Sequence, residues 1–321
     1  MEVKKIGVLT SGGDAPGMNA AVRAVVRSAL EKGIEVVGIM RGYTGLLNHE
    51  VIPMDIGSVS DIIQRGGTIL RTARCEEFRY QEGVAKGKDA CEKIGINGLV
   101  VIGGDGSFRG AADLSAMGIP CVGVPGTIDN DISCTEYTIG YDTAMNTAMQ
   151  MSDFLRDTAQ SHERCMVIEV MGRHAGHIAL NAGIACGATY IVVPEVEFDK
   201  EAMMKKIQKS YAAGKRQFLI FVAEGVGGVA ELAKEIEETT GIESRSMVLG
   251  HVQRGGSPTV RDRVAGTQLG HYAVELLAKG IGNRVVGFQN GQLVNFDIQE
   301  ALKMKKSLDM DLYRIANDVA F

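Results

Sequence analysis

Nine short, continuously apolar and largely β-branched runs punctuate the chain, at residues 6–9, 36–40, 99–102, 121–124, 166–170, 190–193, 218–222, 247–249 and 285–288. Each is too short for a buried helix and lacks the alternation of a half-exposed strand, so each is expected to be a strand covered on both faces. Segments of helical period lie between them, at 19–32, 144–159, 200–213, 229–239 and 262–279. That alternation predicts parallel β/α units joined by right-handed crossovers, and so an α/β protein. Nine runs exceed one ordinary sheet and predict two doubly wound, Rossmann-like domains with a cleft between them. No short-period repeat signals a solenoid, and the glycine-bearing polar stretches at 127–141 and 251–258 are candidate crossing points between domains.

Composition narrows the picture. Glycine fills 41 of 321 positions, nearly double the roughly 7 % that proteins average, against only 6 prolines. Glycine without proline points to tight turns in a compact fold rather than a linker. With 34 Lys and Arg against 39 Asp and Glu the net charge is −5, which excludes sequence-independent binding to nucleic acid or anionic lipid through bulk charge. An anionic ligand must therefore meet a local cluster of bases. The six cysteines form no CxxC pair and are expected to be reduced; most of them, with the 15 methionines, read as core. Nothing near 18 consecutive apolar residues occurs, and the opening MEVKKIGVLTSGGD lacks the apolar stretch of a signal peptide, so the expectation is a soluble cytoplasmic protein.

Ligands of open α/β sheets bind beyond the carboxyl ends of the strands, which directs attention to the loops there. After the first run comes TSGGDAPGMN. Its Gly12 and Gly17 have P-loop spacing, but Met18 and Asn19 stand where Lys and Ser or Thr are required, so the Walker assignment fails. Backbone amides at the start of the next helix remain able to cradle phosphate, with an ordinary strand-to-helix turn as the plainer alternative. Next, Gly104-x-Gly106-x-x-x-Gly110 imitates a dinucleotide fingerprint, yet Asp105 puts a carboxylate where pyrophosphate would sit. That carboxylate suits Mg²⁺ held to nucleotide phosphates, or, more simply, a turn or helix cap. Asp129 and Asp131, two apart, would point to the same side of an extended segment, one facing a cation and one free to take a proton. Arg71, Arg74, Arg164, Arg173, Arg245 and Arg254 cluster at strand ends in a negatively charged protein, which favours a phosphate site. His174 and His177 at i, i+3 have no third ligand at zinc spacing, and zinc is not expected.

The loops TSGGDAPGMNA (10–20), GGDGS (103–107), PGTIDND (125–131), EVMGRHAG (169–176), AEG (223–225) and LGHVQRGGSP (249–258) resemble, in order and spacing, those of the bacterial ATP-dependent 6-phosphofructokinases. The resemblance implies an ATP-binding domain over 1–140 with 252–303 and a fructose 6-phosphate-binding domain over 141–251 with 304–321. It implies that Asp129 takes the proton of the sugar's C1 hydroxyl, that Thr127 positions the transferred phosphoryl group, and that Arg74 and Arg173 stabilise its charge. Gly13, Arg74, Cys75, Gly104, Asp105, Gly106 and Ser107 would bind ATP, with Asp105 and Asp131 holding Mg²⁺. Thr127, Ile128, Asp129, Met171, Gly172, Arg173, Glu224, His251 and Arg254 would contact the sugar phosphate. Arg164 and Arg245 would come from a neighbouring subunit, which implies a homotetramer. Gly106 and Gly126 stand where pyrophosphate-dependent relatives carry aspartate and lysine, which favours ATP as donor. Arg23, Arg27, Arg156 and Lys215 match positions for an effector such as ADP, GDP or phosphoenolpyruvate, but Thr189, Ala213 and Ile56 replace charged residues there. Glu163 beside Arg164 would form a loop that presents either charge to the sugar phosphate. The alternatives are a pyrophosphate-dependent phosphofructokinase, a dinucleotide-dependent oxidoreductase resting on Gly104 to Gly110, and a silent sugar-phosphate sensor, which retention of Asp105, Asp129 and Asp131 disfavours.

Overall fold

The first apolar run becomes strand β1 (Lys5–Thr10), and helix α1 (Met18–Glu31) packs back on it with a face of alanine and valine. The computed structural model describes residues 3–320; the outermost residues of the expected domains, 1, 2 and 321, lie outside them. The chain continues through β2 (Glu35–Ile39), α2 (Gly42–Leu47), β3 (Val51–Met54), α3 (Gln81–Ile94), β4 (Gly98–Gly103), α4 (Asp105–Ala116) and β5 (Cys121–Pro125). Then come α5 (Tyr141–His162), β6 (Cys165–Val170), α6 (His177–Ala185), β7 (Tyr190–Val192), α7 (Lys200–Ala212), β8 (Phe218–Ala223), α8 (Val229–Thr240) and β9 (Ser244–Val248). The last elements are α9 (Val260–Ala278), β10 (Arg284–Gln289), β11 (Gln292–Asp297), α10 (Ile298–Ala301) and α11 (Met310–Val319).

These elements form two units. The first takes the chain up to Ile128, Ile132–Thr143 and Arg254–Lys306; the second takes Asp129–Asp131, Ala144–Gln253 and the chain from Ser307. The breaks fall two or three residues beyond those expected from the sequence. Asp129–Asp131 joins the second unit although the residues on both sides belong to the first.

The first unit holds a seven-stranded sheet in the order β11-β10-β5-β4-β1-β2-β3. Its five inner strands are parallel, with Ile6 opposite Gly98 and Val36. Both edge strands are antiparallel, a departure from the all-parallel expectation. The hairpin strands β3 (VIPM) and β11 (QLVNFD) escaped the apolar pattern because an edge need not be covered: Ile52 and Leu293 are exposed, and Pro53 is tolerable at an edge. Leu9, Leu99, Val101, Phe108 and Leu114 lie in the core on one face of this sheet. On the other, α1 meets α9, where a methyl group on Gly266 or Gly270 would lie 2.8 or 2.6 Å from the carbonyl oxygens of Gly17 or Ala21.

The second unit holds a four-stranded parallel sheet in the order β7-β8-β6-β9, with Val167, Phe218, Ile220, Val222, Leu232 and Ile236 in its core. Four of the five β9 residues are exposed, so apolar content marked this strand late, and Arg245 lies inside it rather than before it. Helices α3 and α4 also lie outside the helical segments read from the sequence; Val84 and Leu114 are the one branched aliphatic residue in the buried face of each, beside small residues such as Gly83, Gly87, Ala90, Gly110 and Ala111. No described helix is long and apolar enough to cross a membrane.

Candidate active site

In the first unit β1 and β4 are neighbours, yet the chain leaves them in opposite directions along the sheet, towards β2 and β5. Such a switch point opens a crevice for ligands beyond the carboxyl ends of the strands. The loops there are laced together by backbone bonds: Ser11 N–H donates to Ile102 O at 2.9 Å and Gly126 N–H to Gly103 O at 2.9 Å. Gly17 caps α1 at φ 108°, a left-handed value that favours glycine, and a side chain there would strike Ile139. Asp105 opens α4 behind Gly104, placing its carboxylate at the positive end of the helix dipole, and Ser107 completes the first turn. The segment 68–75 is held beside β1 by two hydroxyls: Thr10 Oγ1 donates to Arg71 O at 2.8 Å and Thr72 Oγ1 to Gly12 O at 2.7 Å. Arg74 and Cys75 follow directly.

Arg254 lies against the β1 loop in this unit. Its guanidinium donates to Asp14 O at 3.1 and 3.3 Å and pairs with Asp14 Oδ1 at 3.2 Å. A Cβ on Gly13 would fall 1.8 Å from Arg254 Nη2, so the missing side chain is what admits the arginine.

Thr127 is fixed through the segment that follows it. Thr138 Oγ1 donates to Thr127 O at 2.6 Å, and Ile139 N–H to Pro125 O at 3.0 Å. That segment is clamped by the fully buried Asp262, which accepts from Tyr137 OH, Gly140 N–H (2.7 Å), Thr143 N–H (2.8 Å) and Thr143 OH (2.5 Å). Burial pushes the Asp262 carboxyl up against the pull of these donors. Sequence reading missed Asp262; its one signal is the capping spacing from Thr259, the N-cap of α9.

In the second unit β8, β6 and β9 stand side by side, and their carboxyl ends carry Glu224, Met171 to Arg173, and His251. The loop 171–173 turns sharply, with Gly172 at φ 141° and Arg173 at φ 54°. Three successive amides are secured by two side chains: Met171 N–H donates to Gln253 Oε1 at 2.9 Å, and Gly172 and Arg173 N–H donate to Glu224 Oε1 at 3.0 and 2.6 Å. One oxygen of Glu224, expected to meet sugar hydroxyls, is thus engaged by the protein. Burial, then the nearby Glu224, pushes the Glu169 carboxyl up. Asp129 is buried, and its Oδ2 lies 3.5 Å from Arg173 Nε.

Asn130 sits at φ 52°, so the segment is a turn and the extended-chain argument for placing Asp129 and Asp131 on one side does not hold. Asp131 is half-buried, while Ile128 is buried in the first unit. His177 begins α6 while His174 lies in the turn before it, so the pair shares no helical face.

The remaining candidates stand apart. Arg164 precedes β6 and pairs with Glu243 at 2.9 Å; Arg245, near the start of β9, pairs with Glu243 at 2.5 Å and Glu237 at 3.4 Å. Both therefore lie at the amino ends of strands whose carboxyl ends carry Met171 and His251. The hydrogen bond from Arg164 holds the Glu243 carboxyl below its usual range. Arg23 and Arg27 lie one turn apart on α1 in the first unit. In the second, Arg156 donates to Cys186 O, and burial followed by Arg156 lowers Lys215. Thr189 is fully buried with no partner for its hydroxyl among the described residues, Ala213 caps α7, and in the first unit Ile56 is exposed.

The phosphofructokinase family model matches residues 5–277. The chain belongs to the phosphofructokinase family. An ATP-dependent 6-phosphofructokinase of Clostridium botulinum (strain Loch Maree / Type A3) is 58 % identical over 314 residues, 98 % of each chain. One from Bacillus pumilus is 55 % identical over 318 residues, covering 99 % of this chain and all of the other. Among solved structures, phosphofructokinase from Saccharomyces cerevisiae superposes with a TM-score of 0.87 at 35 % identity, over 99 % of this chain but 48 % of the yeast chain. A pyrophosphate-dependent phosphofructokinase from Marinobacter aquaeolei shares the fold, with a TM-score of 0.85 at 22 % identity, over 96 % of this chain and 86 % of the other. Membership makes this phosphofructokinase a phosphotransferase and sets the oxidoreductase reading aside. Gly110 accordingly has a packing role: a side chain there would press on Tyr43 and Phe78, whose rings stack 4.0 Å apart.

Proposed function

We propose that this phosphofructokinase transfers the γ-phosphoryl group of ATP to the C1 hydroxyl of fructose 6-phosphate, the reaction for which its curated relatives are named. The observation that carries the reading is the buried Asp129, held in a turn two residues beyond Thr127 and paired with Arg173. A carboxylate so placed accepts the C1 hydroxyl proton as that oxygen attacks the γ-phosphorus, and the bond to the bridging oxygen breaks to leave ADP. Arg173 orients the base and, with Arg74, offers positive charge to the phosphoryl group in transit. Thr127, its carbonyl fixed by Thr138, positions that group.

The residues present suit Mg²⁺. Asp105 and Asp131 offer hard oxygens, and phosphates and water would complete the shell. When bound, Mg²⁺ neutralises the β and γ phosphates. Gly13, Arg74, Cys75 and Gly104 to Ser107 line the nucleotide site; open space around the Cα of Gly106 supports ATP as donor. Met171 to Arg173, Glu224, His251 and Arg254 hold the sugar phosphate. Arg164 and Arg245, at the far ends of their strands, serve a neighbour in a homotetramer, and Arg23, Arg27, Arg156 and Lys215 bind a phosphorylated effector. A cytoplasmic location fits this chemistry.

A coupled assay of fructose 6-phosphate with ATP or pyrophosphate, with and without Mg²⁺, tests the reading. Asp129→Ser is expected to lower kcat by at least roughly 10²-fold with KM for fructose 6-phosphate little changed. Near-normal turnover would refute the assignment.

A further inference from the structure

Gln253 is fully buried, and only half of its amide is satisfied. Its Oε1 accepts the Met171 amide at 2.9 Å, while its Nε2 has no partner among the described residues. A buried donor without a partner costs stability, so an apolar side chain of the same size would serve packing better. What Gln253 supplies instead is a bridge. It sits in the helical turn Gly250–Arg254, two residues after the exposed His251, and reaches the first residue of the 171–173 loop. In that loop Glu224 secures the next two amides, and two residues hold left-handed backbone angles. Such a loop keeps its shape only while its surroundings determine it. A second bond, Leu249 N–H to Glu169 O at 3.0 Å, joins the same two stretches of chain one step further back.

We infer that Gln253 is a positioning residue for the sugar-phosphate site: through the Met171 amide it sets the register between the 171–173 loop and the turn carrying His251. The inference rests on the reading of that site given above. It requires the Oε1 acceptor and not the Nε2 donor, which separates two near-isosteric replacements. Gln253→Met removes the acceptor and is expected to raise KM for fructose 6-phosphate about tenfold, the size of one net hydrogen bond. KM for ATP and the melting temperature stay close to those of the parent. Gln253→Glu keeps an acceptor and is expected to stay within about twofold of the parent KM. A purely structural role would lower the melting temperature and disturb both substrates alike.

The unsubstituted protein supplies a further test. Saturating fructose 6-phosphate is expected to slow amide exchange in peptides spanning 169–175 and 249–254 together. An unchanged sugar KM in Gln253→Met, equal loss in Gln253→Glu, or protection of one peptide without the other overturns the inference. A parent protein that fails to phosphorylate fructose 6-phosphate overturns the site reading instead.

Discussion

A thiol attacks only as its thiolate, so burial decides which cysteines a reagent meets. Burial pushes Cys91 and Cys165 up to about 12 and Cys134 to about 11, and it raises Cys121 and Cys186 as well. Cys75 alone of the six is half-exposed. An aromatic disulfide reagent is therefore expected to modify one thiol quickly in the native protein and all six after unfolding. Cys75→Ser should abolish the fast phase, and Mg-ATP should slow it; indifference to Mg-ATP would remove Cys75 from the nucleotide site. Cys75 was legible only through the family resemblance, since it stands in none of the six loops that carry it. Gln253 and Asp262 were not, because their partners lie 82 and 119 to 125 positions away and include main-chain amides with no sequence signature. Gly126 shows a subtler limit. A Cβ there would lie 3.1 Å from both Ile102 and Met18, so the protein's own packing already calls for a small residue, whatever phosphoryl donor binds.

At the level of elements, α1 and α9 approach along Gly266 and Gly270, one turn apart on α9, with carbonyls of α1 and its cap in the space a methyl group would need. Backbone cannot step aside as a side-chain tip can. Gly270→Ala is expected to destabilise the protein by about 1–3 kcal/mol despite the better helix propensity of alanine. Differential scanning calorimetry should register a lower melting temperature; a rise would mean that the helices separate freely. Side-chain branching explains what the periodic pattern gave and withheld. Helices with branched apolar faces were readable. The buried stripes of α3 and α4 hold one branched aliphatic residue each, Val84 and Leu114, and edge strands with one solvated side carry no continuous run.

For the molecule as a whole, the arginines at the amino ends of β6 and β9 bear on assembly. If Arg164 and Arg245 complete a neighbour's site, a subunit lacking Arg245 and one lacking Asp129 each retain what the other needs. Co-refolded Arg245→Ala and Asp129→Ser chains are then expected to regain up to about a quarter of parent activity in mixed assemblies, with each alone nearly inactive. Absence of complementation would confine each site to one chain. The order of the strands has a consequence in time. When Cys121–Pro125 leaves the ribosome, β5 is the outer strand of its sheet, and the strand that will cover it, Arg284–Gln289, lies about 160 residues downstream. At ordinary rates of synthesis that edge stays open for roughly ten to thirty seconds while the stretch Ala144–Gln253 of the second unit is being made. An unpaired edge is a template for aggregation, so the nascent chain is most vulnerable midway through its own synthesis.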